Sequence, residues 1–213
     1  MNPYKSKIDD FPNRILRFDS FSEDKAKLRE LCQDKELCVE IGSGSGAHLL
    51  GLATRYPDKL CIGFEILYKR AYRTIEKAIQ HGLDNIIVLR TEGQLIEELF
   101  ETGQIEQLYI LFPDPWAKIR WQKNRILSPG TLDAASRLLG SNGKFIVKTD
   151  HQEYFDWFLS HVSNQTFFEI NKMSRDLHKS EFIEENIETE FEGLFLSQNL
   201  PIYMCELGAA ASK

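Results

Sequence analysis

Leu37-Cys-Val-Glu-Ile-Gly-Ser-Gly-Ser-Gly46 is the stretch that decides the fold. Leu37 to Ile41 is mostly apolar and has the length of a buried strand. Three glycines spaced two apart follow, and the pattern from about Ala47 to Tyr56, closed by Pro57, reads as a helix. Glycines at such a junction let the backbone turn sharply and let a ligand lie close against it. A strand, a glycine turn and a helix in this order is the opening unit of an α/β sheet that binds small molecules outside the carboxyl ends of its strands.

Working outward, strand-like and helix-like runs alternate to about Phe168, the pattern of a parallel sheet with helices on both faces. Strands are expected at Cys61–Glu65, Ile86–Leu89, Gln107–Phe112 and Gly143–Thr149. Helices are expected at Tyr68–His81, Leu95–Phe100, Ser128–Leu139 and His151–Val162. Ser128 is placed to cap its helix and Pro129 to occupy the first turn. Past Phe167 the pattern is irregular, with strands near Phe168–Asn171 and Ile202–Leu207 and a short helix near Thr189. These runs divide the chain into an N-terminal segment over residues 1–30, partly flexible and open to RNA contact, a main domain over 31–207, and a frayed tail over 208–213.

Composition narrows the classes. At 213 residues with 42% hydrophobic and 27% charged residues, the chain is long enough to bury a full core without a disulfide or metal staple. No apolar run approaches the roughly 18 residues of a membrane helix, and the first ten residues lack an apolar signal core, so a cytoplasmic protein is expected. Cys32, Cys38, Cys61 and Cys205 show no metal-binding spacing and read as reduced, buried thiols. The five histidines form no ligand-like cluster, and no metal is expected. Net charge is −6, the wrong sign for non-specific coating of nucleic acid, so any RNA-binding face has to be local.

Such a face is present. Leu111-Phe-Pro-Asp-Pro-Trp-Ala-Lys-Ile-Arg-Trp-Gln-Lys-Asn-Arg125 sets Asp114 between two prolines at the mouth of a strand, then places Lys118, Arg120, Lys123 and Arg125 in a run without acids. The prolines fix φ on both sides of the carboxylate and disfavour helix before them, so the acid is held rigidly. Trp116 and Trp121 offer stacking surfaces beside the cations. A solvated basic turn is the plain alternative.

The glycine turn carries an acid before it, Glu40, and a second acid, Glu65, ends the next strand. A carboxylate at Glu40 repels a pyrophosphate, which disfavours a dinucleotide, although Ala47 satisfies the spacing of that motif. The same carboxylate suits a cationic ligand, and Glu65 is placed to bind ribose hydroxyls. The Glu-x-Gly-x-Gly-x-Gly form resembles the first motif of class I methyltransferases, whose cofactor, S-adenosylmethionine, carries an ammonium and a sulfonium. The resemblance places Gly42, Gly44 and Gly46 against that cofactor, and Glu92 of Thr91-Glu-Gly93 at its adenine edge; helix capping is the alternative for Glu92.

With Phe112-Pro-Asp-Pro-Trp-Ala-Lys-Ile-Arg120, Thr149-Asp150 and Thr189-Glu-Phe-Glu192, the chain from about Leu37 to Leu207 resembles the bacterial tRNA (guanine-N7-)-methyltransferase family. The resemblance implies a Rossmann-like class I fold with a mostly parallel seven-stranded sheet and helices on both faces. It also implies methyl transfer from S-adenosylmethionine to N7 of a guanine in the variable loop of tRNA. Cofactor binding would fall to Glu40, Glu65, Glu92 and Asp114, with Asp114 also facing the guanine as the catalytic residue. Lys118, Asp150, Thr189, Glu190, Phe191 and Glu192 would contact substrate, and Arg120, Trp121, Lys123 and Arg125 the RNA. Ala117, Ile119, Trp121, Gln122 and Asn124 stand where members carry further basic residues, so the basic face is diluted. Glu190 stands where a lysine is common. Two other readings compete: methylation of an exocyclic amine on adenine, cytosine or glutamine, for which the second proline of the Asp/Asn-Pro-Pro motif is missing, and a non-catalytic tRNA-binding regulator. A monomer and a homodimer are both compatible with the chain.

Overall fold

The alternation read from the sequence becomes eight strands in a computed structural model that describes residues 2–18 and 23–210. The chain forms two compact units that divide between Phe100 and Glu101. In the first, β1 (Ile15–Arg17), β2 (Leu37–Ile41), β3 (Leu60–Phe64) and β4 (Ile86–Arg90) run parallel in the order β1-β4-β3-β2. Every residue of β2 and β3 is buried, which is why both strands are near-continuous apolar runs instead of alternating ones.

The helices of this unit are α1 (Tyr4–Lys7), α2 (Glu23–Cys32), α3 (Ala47–Arg55), α4 (Tyr68–Gln80) and α5 (Ile96–Leu99). On α4 the residues Ala71, Thr74, Ile75 and Ala78 are buried, a stripe at helical spacing, while Lys69, Arg70 and Arg73 are exposed. The helix ends where Leu83 N–H reaches back to the Ala78 carbonyl at 2.9 Å across Gly82, whose φ is 66°.

In the second unit, β5 (Ile105–Leu111) and β6 (Leu139–Thr149) are parallel, and β8 (Tyr203–Ala209) runs antiparallel to both β6 and β7 (Phe168–Ser174), giving the order β5-β6-β8-β7. Its helices are α6 (Pro129–Leu138), α7 (Gln152–Val162) and α8 (Glu190–Ser197). Ser128 caps α6 as expected, its hydroxyl accepting from Thr131 N–H at 3.3 Å with Pro129 in the first turn. Phe145, Phe155, Phe158 and Tyr154 are fully buried and form the aromatic centre of this unit.

Two features depart from the sequence reading. The strand count is eight, not seven, because Ile15–Arg17 adds an edge strand in register with Val88–Arg90. That strand is anchored by Arg14, whose guanidinium donates to the carbonyls of Leu83 and Ile86, each at 2.8 Å. Gly208 and Ala209, placed in a frayed tail, belong to β8, where Gly208 pairs with Lys144 and Ala209 with Phe168. Ala210 follows, its N–H donating to the Phe167 carbonyl at 3.0 Å, and residues 211–213 lie outside the described residues. All four cysteines are buried and free.

The turn after β2 is tightest at Gly46. Its φ is 83°, and a Cβ added there would sit 2.5 Å from Thr74 Cγ2, whereas one at Gly44 would meet nothing within 4 Å. Gly44→Ala should therefore cost about 1–2 kcal/mol from the left-handed backbone alone. Gly46→Ala should cost clearly more, since Thr74 on α4 must also move. Urea midpoints at unchanged slope check the difference; equal losses for the two variants would mean that Thr74 yields freely.

Candidate functional site

At the end of β2 the chain turns through Gly42, Gly44 and Gly46, with φ of 79°, 56° and 83°. The N–H groups of Gly42 and Ser43 both donate to the Phe64 carbonyl at 3.0 Å, which ties the turn to the end of β3. Thr74 Oγ1 donates to the Gly44 carbonyl at 3.4 Å and Lys77 Nζ to the Ser45 carbonyl at 3.0 Å, so α4 holds the turn from its far side. The space beside Gly42 and Gly44 is open, which leaves their backbone free to face a ligand.

The acids around this turn are held in three different ways. Glu40 is buried at the end of β2, and its Oε2 lies 3.1 Å from Nδ1 of His48 on α3, also buried. Glu65, one residue past β3, is 5% exposed; Leu67 N–H donates to its Oε1 at 2.7 Å and Arg70 stands 3.9 Å from its Oε2. Burial pushes the Glu65 carboxyl above its ordinary value, opposed by the N–H groups of Leu67, Gly44 and Ile66 and by Arg70. Its carboxylate is thus drawn over the glycine turn, at Gly44. Glu92, before a single helical turn at Gly93–Leu95, is exposed and makes no capping hydrogen bond, so the capping alternative is not realised. Gly93 beside it is required sterically, because a Cβ there would lie 2.3 Å from Ile41 Cγ2.

The second unit carries the residues expected on the acceptor side. β5 leads into Phe112, whose N–H donates to the Lys148 carbonyl at 2.8 Å. Phe112 and Trp116 have φ of 49° and 41°, so two non-glycine residues in the left-handed region bracket Pro113-Asp114-Pro115. Asp114 is exposed on this constrained loop. Beyond it Ile119–Asn124 forms a 3₁₀ segment on which Arg120 and Lys123 are exposed, as is Lys118 just before it. Lys118 Nζ and Arg120 Cζ lie 4.9 and 4.8 Å from the ring centre of Trp121, which meets Trp116 edge-on. Arg125, grouped with these cations in the sequence, is instead 5% exposed and donates through Nε to the Pro115 carbonyl at 2.8 Å.

Asp150 is half-buried just past β6, and His151 caps α7 by accepting from Tyr154 N–H at 3.3 Å. Thr189 and Glu192 form a reciprocal cap at the start of α8, with Glu190 and Phe191 exposed on its first turn. Glu192 is fully buried. It pairs with Lys148 Nζ at 3.0 Å, Asn186 Nδ2 donates to it at 2.6 Å, and His178 Nε2 lies 2.7 Å away. Lys148 also donates to Asn186 Oδ1 and to the Ile187 carbonyl. Burial opposes the charge on Glu192, but Lys148, His178 and Asn186 outweigh it and hold the carboxyl below its ordinary value. In this arrangement Glu192 fastens the segment that presents Thr189 and Phe191, and its own oxygens are taken up inside the unit.

Lys148, His178 and Asn186 were not picked out from the sequence, although a lysine in the apolar run Phe145-Ile-Val-Lys-Thr149 and the Thr-x-x-Glu capping pattern were visible signals.

Comparison with known proteins bears on the chain as a whole. The sequence model of a family described as "Putative methyltransferase" matches residues 34–205. A tRNA (guanine-N(7)-)-methyltransferase of Streptococcus pneumoniae (strain CGSP14) is 37% identical over 188 residues, covering 88% of each chain. A bifunctional glycosyltransferase/methyltransferase of Fusobacterium nucleatum is 35% identical over 200 residues, which are 93% of this chain but only 31% of that longer protein. Among solved structures, the 16S rRNA methyltransferase KamB superposes with a TM-score of 0.64 at 16% identity, covering 93% of this chain and 99% of that one, a likeness of fold.

Lys148→Met should destabilise the protein by about 3–5 kcal/mol, because it leaves the buried Glu192 charge without its ammonium partner. The double replacement Lys148→Met with Glu192→Met should recover much of that loss. Because the folded carboxyl lies below the ordinary 4.5, the Glu192 charge contributes stability above that pH and loses it as pH falls through the lowered value. Urea unfolding of wild type and Glu192→Gln should therefore converge in acid; a gap that persists or widens in acid would contradict this.

Proposed function

The chain belongs to the tRNA (guanine-N7-)-methyltransferase family, and on that premise we propose an assignment of its residues to the reaction. The protein transfers a methyl group from S-adenosylmethionine to N7 of a guanine in tRNA. The reading places that guanine in the variable loop and the enzyme in the cytoplasm, where its substrate is.

When bound, S-adenosylmethionine supplies a methyl group on a cationic sulfonium. The residues of the glycine turn fit such a ligand: positive-φ backbone with open space at Gly42 and Gly44, and the buried carboxylates of Glu40 and Glu65 at the ends of the strands beside it. Glu65, with its carboxylate already gathering backbone N–H groups at the turn, is assigned to the ribose hydroxyls. Exposed Glu92 is assigned to the adenine edge, and Glu40, oriented by His48, to the cationic end of the methionine moiety. Asp114 is assigned to the cofactor as well as to the guanine.

Guanine N7 offers a lone pair and bears no proton, so its methylation requires in-line placement and management of charge rather than an obligatory base. The purine becomes cationic as the bond forms. A carboxylate held rigidly beside it stabilises that charge and accepts from the guanine N1 and N2 hydrogens. The observation that carries the assignment is the Asp114 loop: an exposed carboxylate fixed between two prolines and two left-handed residues, directly followed by three exposed cations and a tryptophan suited to RNA. Lys118, Asp150, Thr189, Glu190 and Phe191 are assigned to the substrate, with Arg120, Trp121 and Lys123 on the RNA.

Digestion of tRNA to nucleosides after incubation with labelled S-adenosylmethionine should yield N7-methylguanosine. Asp114→Asn should slow the reaction by about 2.7–4 kcal/mol in the barrier, the size found for removal of one preorganised polar group. Methyladenosine as product, or a variant within a few-fold of wild type, contradicts the reading. Trp121→Ala should weaken tRNA binding by about 1–3 kcal/mol if a base stacks on the indole; an unchanged dissociation constant removes Trp121 from the RNA face.

A further inference from the structure

Arg125 closes the basic run of the sequence, yet its side chain points the other way from its neighbours' role. Its guanidinium is 5% exposed and sits with Cζ 4.8 Å from the ring centres of both Tyr154 and Trp157 on α7. A guanidinium stacked against two aromatic rings and withdrawn from water is unavailable to a phosphate, while Lys118, Arg120 and Lys123 remain exposed. From this position Nε–H donates to the Pro115 carbonyl at 2.8 Å.

That carbonyl belongs to the residue after Asp114. Prolines at 113 and 115 fix φ there but leave ψ free. The orientation of the Pro115 carbonyl reports that remaining angle, and it sets how the chain leaves toward Trp116, whose φ of 41° is unfavourable for a bulky side chain. Strained backbone persists only where its surroundings over-determine it. One end of the loop is held by the bond from Phe112 N–H to the Lys148 carbonyl, and the other by Arg125. Arg125 is itself anchored: its N–H donates to the Gln122 carbonyl at 3.0 Å, and two residues on, Leu127 N–H donates to the Tyr154 hydroxyl at 3.1 Å. Burial, with Asp114 adding to it and Arg125 opposing it, pushes the Tyr154 hydroxyl up to about 12, so the ring partner of Arg125 stays neutral across the working pH range.

We propose that Arg125 is a positioning residue for methyl transfer: wedged against Tyr154 and Trp157, its guanidinium holds the Pro115 carbonyl and so fixes the backbone that carries Asp114, and it does not bind RNA phosphate. The proposal rests on the assignment of Asp114 to the reaction.

The test compares Arg125→Ala and Arg125→Lys with wild type in kcat, in tRNA dissociation constant across salt concentrations, and in kcat with added ethylguanidinium. For Arg125→Ala, kcat should fall about 100-fold, the effect of a misplacement on the order of 1 Å. The tRNA dissociation constant should stay within about two-fold and its salt slope should not change, whereas a lost phosphate contact lowers that slope by about one. Ethylguanidinium should restore activity to Arg125→Ala, a recovery that a merely destabilised fold would not give. Arg125→Lys should remain impaired, because an ammonium neither stacks nor donates from the same plane. The clamp is overturned by a kcat within about three-fold of wild type, by a weakened affinity and reduced salt slope at unchanged kcat, or by a loss that ethylguanidinium leaves in place. Absence of turnover in wild type would count against the functional assignment itself, which distinguishes the two failures.

Discussion

Lys148 gives the second unit its shape through two groups on one residue. Its carbonyl accepts from Phe112 N–H and fixes where the Asp114 loop leaves β5. Its ammonium, 4% exposed, pairs with fully buried Glu192 and fixes where α8 begins. A buried ion pair is weak evidence of stability, since desolvation offsets much of the attraction. Its value here is in register. The strand end before Asp150, the loop of Asp114 and the cap at Thr189 are all held relative to a single point on β6.

The chemistry places little demand on proton transfer and a large demand on position. A nucleophile without a proton and a cationic methyl donor together call for carboxylates that stay charged and stay put. The chain answers with acids at strand ends, each held differently: Glu40 by a histidine, Glu65 by backbone N–H groups, Asp114 by prolines and a constrained loop. The overall charge of −6 does not bar a tRNA substrate, because Lys118, Arg120 and Lys123 face solvent in a stretch, residues 116–125, that carries no acid.

Much of the architecture was legible because it follows from buried parallel strands and the punctuation between them. Leu37–Ile41, the glycine turn, Ser128-Pro129 and the last strand were each read within a few residues, although the antiparallel direction of that strand was not. The edge strand Ile15–Arg17 was not, since three residues carry no usable periodicity and its partner lies some seventy positions away. Arg125 was misplaced for a different reason. In a run of cations every member looks solvent-facing, and only tertiary packing of Tyr154 and Trp157 turns one of them inward. Glu192 was assigned to substrate by resemblance, whereas the capping pattern at Thr189 pointed toward the interior role that the structure gives it.

The central claim is that this enzyme works by position and charge, without a general base. The pH dependence of the single-turnover rate, at saturating tRNA and S-adenosylmethionine, tests it most directly. A flat profile between about pH 6 and 8 is expected, because N7 bears no proton and the step transfers none. A rate that rises with pH through that interval with unit slope, and loses the rise in Asp114→Asn, would make Asp114 a proton acceptor and contradict the account.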